Sequence, residues 1–265
     1  MILVLGSGDV GSAVAHALFR HGLPVVLQDD PMPAATRRGM AFTDALFDGA
    51  AELDGVAARR VAFGALAPDP SFIPVLAGCA EDFLASVAWD AVIDARMRKR
   101  SIPPDRRACA PLVIGLGPNF IPGGNCHVAV ETSRENLGAI VRDGATLPLR
   151  GEPAAIEGIA RDRYVYAPNS GTVATAFAIG ADVSAGTVVA TIDGIAVAAP
   201  ISGRLRGLVR SGVPVRAGMK VMEVDPRGAE ARVFGIDRRP RAIAEAVLRI
   251  VQDAAAPCAP APLGR

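Results

Sequence analysis

The chain has no cysteine pairing pattern, no apolar run of membrane length and almost no lysine. Its four cysteines, Cys79, Cys109, Cys126 and Cys258, show no short paired spacing, which argues against a disulfide framework and against a structural zinc site. The three histidines add no metal-ligand pattern, because His16 and His21 share the first helix and His127 stands apart. No metal is expected. No apolar run approaches the roughly 18–20 residues of a membrane span, and Met1–Leu5 meets glycine too soon to be the core of a signal peptide. Net charge is +1 over 265 residues, so a dedicated nucleic-acid binder is not indicated. The expectation is a soluble cytoplasmic protein with no nucleic-acid and no membrane partner.

What is present is core-forming material. Hydrophobic residues make up 51% and charged residues 21%, and the length suits two modest domains. Only Lys99 and Lys220 are lysines, so arginine carries nearly all the positive charge. That charge is uneven. Residues 1–95 carry 5 basic and 12 acidic side chains, residues 96–107 carry 6 and 1, and residues 203–249 carry 11 and 5. Either basic stretch is placed to meet an anionic ligand or simply to form a solvated face.

Ile2–Leu5 is a short apolar run that ends in Gly6-Ser7-Gly8-Asp9-Val10-Gly11. Val10, Val14, Ala17 and Leu18 follow at helical spacing, Gly22 stands where a helix stops, and Val25–Leu27 reads as a second strand. This strand, glycine loop, helix and strand form the context that gives G-x-G-x-x-G meaning. Gly6 permits the tight turn, Gly8 lets backbone approach a phosphate, and Gly11 lets the helix pack closely. The helix N-terminus offers free N–H groups to an anion. Asp29, at the end of the second strand, is placed to bind ribose hydroxyls.

Further strands are expected at Arg59–Phe63, Ile73–Leu76, Ala91–Asp94 and Leu112–Gly115, and helices at Ala34–Phe47 and Cys79–Val87. Alternating strands and helices imply a parallel sheet covered on both faces, with ligands beyond the carboxyl ends of its strands. Asp94 and Arg96 fall at one such end, as a hydroxyl or base contact and a bidentate anion clamp. Asn119 falls at the next, in Gly117-Pro118-Asn119.

Asn125-Cys126-His127-Val128-Ala129-Val130-Glu131-Thr132 is the most chemically loaded stretch. Strand alternation would send Cys126 and His127 to opposite faces. Cys126 is either a loop thiolate able to carry sulfur or meet a soft metal, or a small buried residue beside a hydrogen-bonded histidine.

Offsetting the chain by 32 residues aligns Ala167–Asp193 with Ala199–Asp225, with ten of 27 positions identical. Short strands broken by glycine turns at this spacing indicate an all-β unit whose copies bury together what neither buries alone. The pattern resembles the biotinyl/lipoyl-type barrel-sandwich hybrid. Such domains display a lysine on the central hairpin, whereas here it reads Ile192-Asp193-Gly194-Ile195, a type I′ turn signal without an amine. Lys220 lies on a different segment. A swinging-arm carrier is therefore rejected in favour of a structural, docking or lid module. After Pro240, Ala242–Val251 has helical periodicity, and the alanine- and proline-rich tail from Ala254 is expected to be loose.

Taken in order, G-S-G-D-V-G-S-A-V-A-H-A-L-F, D-A-R-M-R-K-R, P-L-V-I-G-L-G-P-N-F, N-C-H-V-A-V-E-T and G-M-K-V-M-E-V-D-P-R-G resemble the YqeB-type, selenium-dependent molybdenum hydroxylase system proteins. That group is related in its Rossmann portion to the XdhC/CoxI maturation factors. The resemblance implies an α/β protein: a Rossmann-like parallel sheet domain over residues 1–160, a duplicated β domain over 161–230, and a C-terminal helix and tail over 231–265. It implies an accessory role in maturing a molybdenum hydroxylase, with a phosphorylated molybdopterin-type cofactor as ligand and the apo hydroxylase as partner. That role covers insertion of the cofactor or loading of its terminal sulfur or selenium. Carried over by position, Gly6, Gly8, Asp9 and Gly11 form the nucleotide-like loop, Asp94 and Arg96 the strand-end motif, and Cys126 and His127 the Cys-His motif. Where the group tends to continue with N-R-G-H, this chain has Ser133-Arg134-Glu135-Asn136 and lacks the second histidine. A homodimer is left open, as is whether any reaction is catalysed.

Two other readings use the same loop. An NAD(P)-dependent oxidoreductase explains the glycines and Asp29 but lacks a proton donor such as Tyr-x-x-x-Lys, since Tyr164 and Tyr166 have no such lysine. A non-catalytic nucleotide-binding scaffold needs no donor at all.

Overall fold

The computed structural model describes residues 1–98, 101–148, 153 and 155–255. It is an α/β structure in which a large, mostly parallel sheet is joined by two small antiparallel sheets. The chain opens with β1 (Ile2–Leu5), α1 (Asp9–Arg20) and β2 (Val25–Asp29). All four residues of β1 are buried, as expected for a parallel strand covered on both faces. Helix α1 turns Val10, Val14 and Leu18 inward, and Gly22, at φ +73°, takes the left-handed conformation that ends it.

There follow α2 (Ala45–Asp48), β3 (Ala50–Leu53), β4 (Val56–Arg60), β5 (Phe72–Ala77), α3 (Ala80–Ser86), β6 (Ala91–Asp94), β7 (Leu112–Leu116), β8 (Val128–Val130) and β9 (Ile140–Val141). The strands form one sheet in the order β3-β4-β5-β2-β1-β6-β7-β8-β9, parallel except for the two edges, β3 and β9. From β1 the chain moves outward through β2, and it later returns to lay β6 on the other side. The strand order therefore reverses between β1 and β6, where Leu5 lies beside Asp94. That is where open α/β sheets form a ligand crevice.

The helix expected over Ala34–Phe47 is not formed. Only one turn at Arg38–Met40 and the short α2 are helical. The reason is tertiary: the Thr36 carbonyl accepts the Leu208 N–H at 2.8 Å, and Arg38 Nε donates to the Leu208 carbonyl at 2.9 Å. Backbone groups that a helix would use internally are spent on the β unit instead. The strand expected at Arg59–Phe63 is shifted to Val56–Arg60, and the Cys-His stretch is strand only over Val128–Val130.

The repeat supplies β10 (Tyr164–Tyr166), β11 (Gly171–Ala174), β12 (Asp182–Val183), β13 (Val188–Ile192), β14 (Ile195–Ala198), β15 (Gly203–Leu208), β16 (Pro214–Val215) and β17 (Lys220–Asp225). Its sheets run β10-β17-β15-β12 and β14-β13-β11-β16. Shifting any strand of one sheet by a repeat length gives its counterpart in the other, so each sheet takes two strands from each copy. The shared core includes Val173, Ile192, Leu205 and Val224. The repeated glycines have a repeated cause. A Cβ on Gly171 would lie 2.4 Å from Asp193 Oδ2, and one on Gly203 would lie 2.2 Å from the Asp225 carbonyl. The Asp193-Gly194 turn has φ of +46° and +84°, the geometry of a type I′ hairpin.

Helix α4 (Arg238–Ala255) starts before Pro240 rather than after it. Proline is tolerated there because first-turn N–H groups have no partner within the helix. The helix lays Ile243, Val247, Ile250 and Val251 against α1 and the large sheet. The opposite face of that sheet is covered by Phe83, Leu84 and Trp89 from α3 and its exit loop. Cys258 and the tail beyond Ala255 lie outside the described residues, as does Lys99. No described helix is long and apolar enough to cross a membrane.

Candidate functional site

The glycine loop leaves the carboxyl end of β1 at the point where the strand order reverses. Gly6 has φ +98°, and a Cβ there would sit 3.1 Å from Arg96, so both its torsion and its neighbour call for glycine. A Cβ on Gly11 would lie 1.8 Å from the Gly6 carbonyl oxygen, which only a bare backbone allows. Gly8 differs: a Cβ there meets nothing within 4 Å. The loop is closed behind Gly11 and open in front of Gly8. Ser12 N–H bonds the Gly8 carbonyl at 2.8 Å, while the Gly8 and Asp9 amides take no hydrogen bond among the described residues. Free amides at a helix N-terminus attract anions.

Asp29 holds the loop. Its Oδ2 accepts the Ser7 N–H at 2.6 Å and the Ser7 hydroxyl at 2.7 Å, and its Oδ1 accepts the Asp30 N–H at 2.8 Å. Burial raises its pKa, with the Ser7 bonds opposing. Both carboxylate oxygens accept bonds within the protein, which gives Asp29 a part in shaping the loop beside the ribose contact expected of it. Asp94 and Arg96 lie beside Gly6 as expected, but they hold each other: Arg96 Nε donates to Asp94 Oδ1 at 2.9 Å and Nη2 to Oδ2. The expected anion clamp is thus already closed on a carboxylate. Asn119, at φ +68°, turns the chain after β7 and donates to the Ser101 carbonyl at 3.3 Å.

Cys126 and His127 are not brought to this place. Strand register sets Cys126 level with Ile2, at the amino end of the sheet and three strands from β1. At about 3.3 Å per residue and about 4.8 Å per strand, that puts it well over 10 Å from Gly6 in each direction. Cys126 is fully buried, and burial pushes its thiol up to about 11. Thiolate chemistry there would first require the sheet edge to open. His127 Nδ1 accepts the Val113 N–H at 2.9 Å. The carboxyl end of the same motif lies nearer the charged ground: the Thr132 carbonyl accepts Arg239 at 3.1 Å.

A second group of charges, not anticipated as a site, adjoins Asp9. Arg37 donates to Asp9 Oδ2 at 3.0 Å and bidentately to Glu223 at 3.0 and 3.1 Å. Arg163 also reaches Glu223, and Lys220 Nζ donates to it at 3.2 Å. The Arg163 guanidinium and the Lys220 amine lie over the Tyr164 ring at 4.2 and 4.6 Å. Glu223 has no exposure. Burial alone would raise its pKa, but Arg37, Lys220 and Arg163 hold it well below the usual carboxylate range. Asp9 is likewise held low against burial, by Arg37, Arg239 and Lys220. Burial pushes the Lys220 amine down to about 8, with Glu223 opposing and Arg37 adding to the fall.

One sequence signal could have exposed this group. In a repeat whose copies fold alike, Lys220, Glu223 and Arg206 occupy positions held by Val188, Thr191 and Ala174 in the first copy. Charge in one copy only marks the face that meets something the other copy does not. With two lysines in the chain, the state of Lys220 is directly measurable: its side-chain 13C resonance should titrate with a midpoint near pH 8. A midpoint at the ordinary value near 10.5 would show the amine to be solvated.

No family model matches the chain. Among solved structures, the apo ectoine utilization protein EutE (DoeB) from Ruegeria pomeroyi aligns over 85% of this chain and 86% of its own, at 12% identity and a TM-score of 0.27. A succinylglutamate desuccinylase from Silicibacter sp. TM1040 aligns over 84% of each chain, at 15% identity and a TM-score of 0.25. Among curated proteins, Uncharacterized protein YqeB of Escherichia coli (strain K12) is 33% identical over 252 residues, which is 94% of this chain and 46% of that protein. The chain is thus similar to YqeB across nearly its whole length, and spans about half the length of that relative.

Proposed function

We propose that the chain binds a phosphorylated cofactor of the molybdopterin type on the Gly6–Gly11 loop and hands it to an apo molybdenum hydroxylase during maturation. The observation that carries this reading is the open space before Gly8, beside two amides that take no hydrogen bond among the described residues, at the reversal of strand order. The large sheet is read here as Rossmann-type and the repeated unit as a barrel-sandwich hybrid without a carrier lysine.

The residues suit a phosphate. Gly8 and Asp9 supply N–H donors, the dipole of α1 favours negative charge, and Asp29 keeps Ser7 from collapsing the turn. The Asp94–Arg96 pair walls the loop as a neutral unit. When bound, the cofactor brings the metal centre whose terminal sulfur or selenium the client enzyme requires. Insertion is the favoured step for this chain, because the buried Cys126 offers no accessible thiolate for chalcogen loading. The β unit is bonded to segment 36–38 by backbone and side chain, which suits a fixed docking surface for the client rather than a swinging arm.

The test is to co-express the protein with complete cofactor biosynthesis, purify it, and measure bound molybdenum and pterin fluorescence. Stoichiometric pterin is expected. Protein without pterin despite full synthesis would overturn the reading, as would low-micromolar NADH or NADPH binding accompanied by hydride transfer.

A further inference from the structure

Beside the charged group, a cleft of about 900 Å³ opens between the loop after β8, the start of α4 and the repeated β unit. Its volume is within the range of small-molecule pockets. Six arginines line it, and they fall into two sets. Arg37, Arg163 and Arg206 are committed to buried carboxylates: Arg37 to Asp9 and Glu223, Arg163 to Glu223, and Arg206 to Asp225 and Asp237. Arg134, Arg238 and Arg239 have no carboxylate partner among the described residues. Arg239 spends Nε and Nη2 on one carbonyl, that of Thr132, and burial lowers its pKa.

The lining carboxylates do not neutralise this second set. Asp237 is paired with Arg206, and Glu135 has a partner of its own. The N-terminal turn of α4 also faces the cleft, its Arg238 N–H taken by Asp237 Oδ1 at 2.7 Å. Arg206 Nε, on a residue with 5% exposure, has no hydrogen-bond partner among the described residues, the Glu223 carboxylate standing 3.9 Å away. Among the described residues, the guanidiniums of Arg134 and Arg238 have no partner and that of Arg239 is held by a carbonyl alone, so the cleft carries more positive than negative charge. No lining residue is aromatic, so nothing there stacks a base or a pterin ring.

We propose that this cleft is a separate site for a diphosphate group, held by Arg134, Arg238 and Arg239. A diphosphate presents several charges on adjacent tetrahedral groups, which the planar forks of three arginines can share. A single carboxylate could satisfy only one. The inference is independent of what the glycine loop binds.

The probe is inorganic pyrophosphate, titrated calorimetrically into the full chain at low ionic strength, with ADP as a second arm. Micromolar binding is expected, with ADP no tighter than pyrophosphate because no ring platform is present. Arg134→Gln and Arg238→Gln remove exposed side chains that make no hydrogen bond or ion pair among the described residues, so these variants should fold normally. Each should weaken pyrophosphate by about tenfold, the scale of a lost charge-assisted hydrogen bond. Gly8→Val removes whatever pyrophosphate the glycine loop takes and should leave the component sensitive to Arg134 and Arg238 unchanged. Three results would overturn the proposal: no binding to the wild type, equal affinity in the Arg134→Gln/Arg238→Gln double variant, or loss of binding in Gly8→Val alone. Failure here would leave the pterin measurement untouched, and the reverse also holds.

Discussion

Replacing Glu223 with glutamine should lower stability by about 3–5 kcal/mol, the scale for breaking a buried ion pair from one side. The side chain has no exposure and accepts from Arg37, Arg163 and Lys220 together. Glutamine keeps the shape and removes the charge, so the buried Arg163 and the partly exposed Arg37 and Lys220 are left crowded around a neutral group. The melting temperature should fall by on the order of 10 °C for a chain of this size. The pH dependence has a definite sign. The folded-state pKa of Glu223 lies below its ordinary value of 4.5. Its contribution is therefore complete above about pH 4.5 and is lost as pH falls through the folded value. The stability gap between wild type and Glu223→Gln should accordingly shrink in acid, and narrow again in alkali as Lys220 loses its proton. A gap of under 1 kcal/mol at pH 7, measured by denaturant unfolding, would mean that the cations are solvated.

The second large effect separates binding from folding at two neighbouring glycines. Gly8 has φ −66° and ψ −177°, a conformation valine adopts readily, and a Cβ there meets nothing. Gly8→Val should thus melt within about a degree of wild type, yet its branched side chain would stand in front of the free amides. Losing two amide bonds to a phosphate should cost the cofactor at least about 100-fold in affinity. Gly11→Ala should behave in the opposite way. Its Cβ would lie 1.8 Å from the Gly6 carbonyl, so the loop must move and the fold should lose about 1–3 kcal/mol as an overpacked site. Ligand titration and thermal melting of both variants decide the matter. Retained cofactor affinity in Gly8→Val would move the site away from the loop.

The glycine loop was legible because its causes are local. The tight turn at Gly6 and the periodic apolar face of α1 depend on neighbours a few residues away. The repeat was legible for a related reason: Gly171 and Gly203 meet equivalent aspartates at the same separation in both copies. Roles that depend on partners were harder to read. Asp29, Asp94 and Arg96 stand where their positions suggested, but Ser7 claims the first, and the other two claim each other. The run at 34–47 has helical spacing, yet Leu208 takes the Thr36 carbonyl and the Arg38 side chain. The family resemblance suggested chemistry for Cys126 and His127, whereas strand register put them at the amino end of the sheet.

Residue order is enough to read an α/β chain with an open glycine turn at its first helix, and a twofold β unit with no amine on its hairpin. It took packing in space to bring Arg37 and Glu223, 186 residues apart, to a buried charge pair, and to gather six arginines on one cleft. Torsion angles and side-chain periodicity act over a turn or two of chain and leave their mark in the order of residues. Charge pairing acts through space, and here its partners were set by how two copies of a repeat exchanged strands and which face they turned toward the larger sheet.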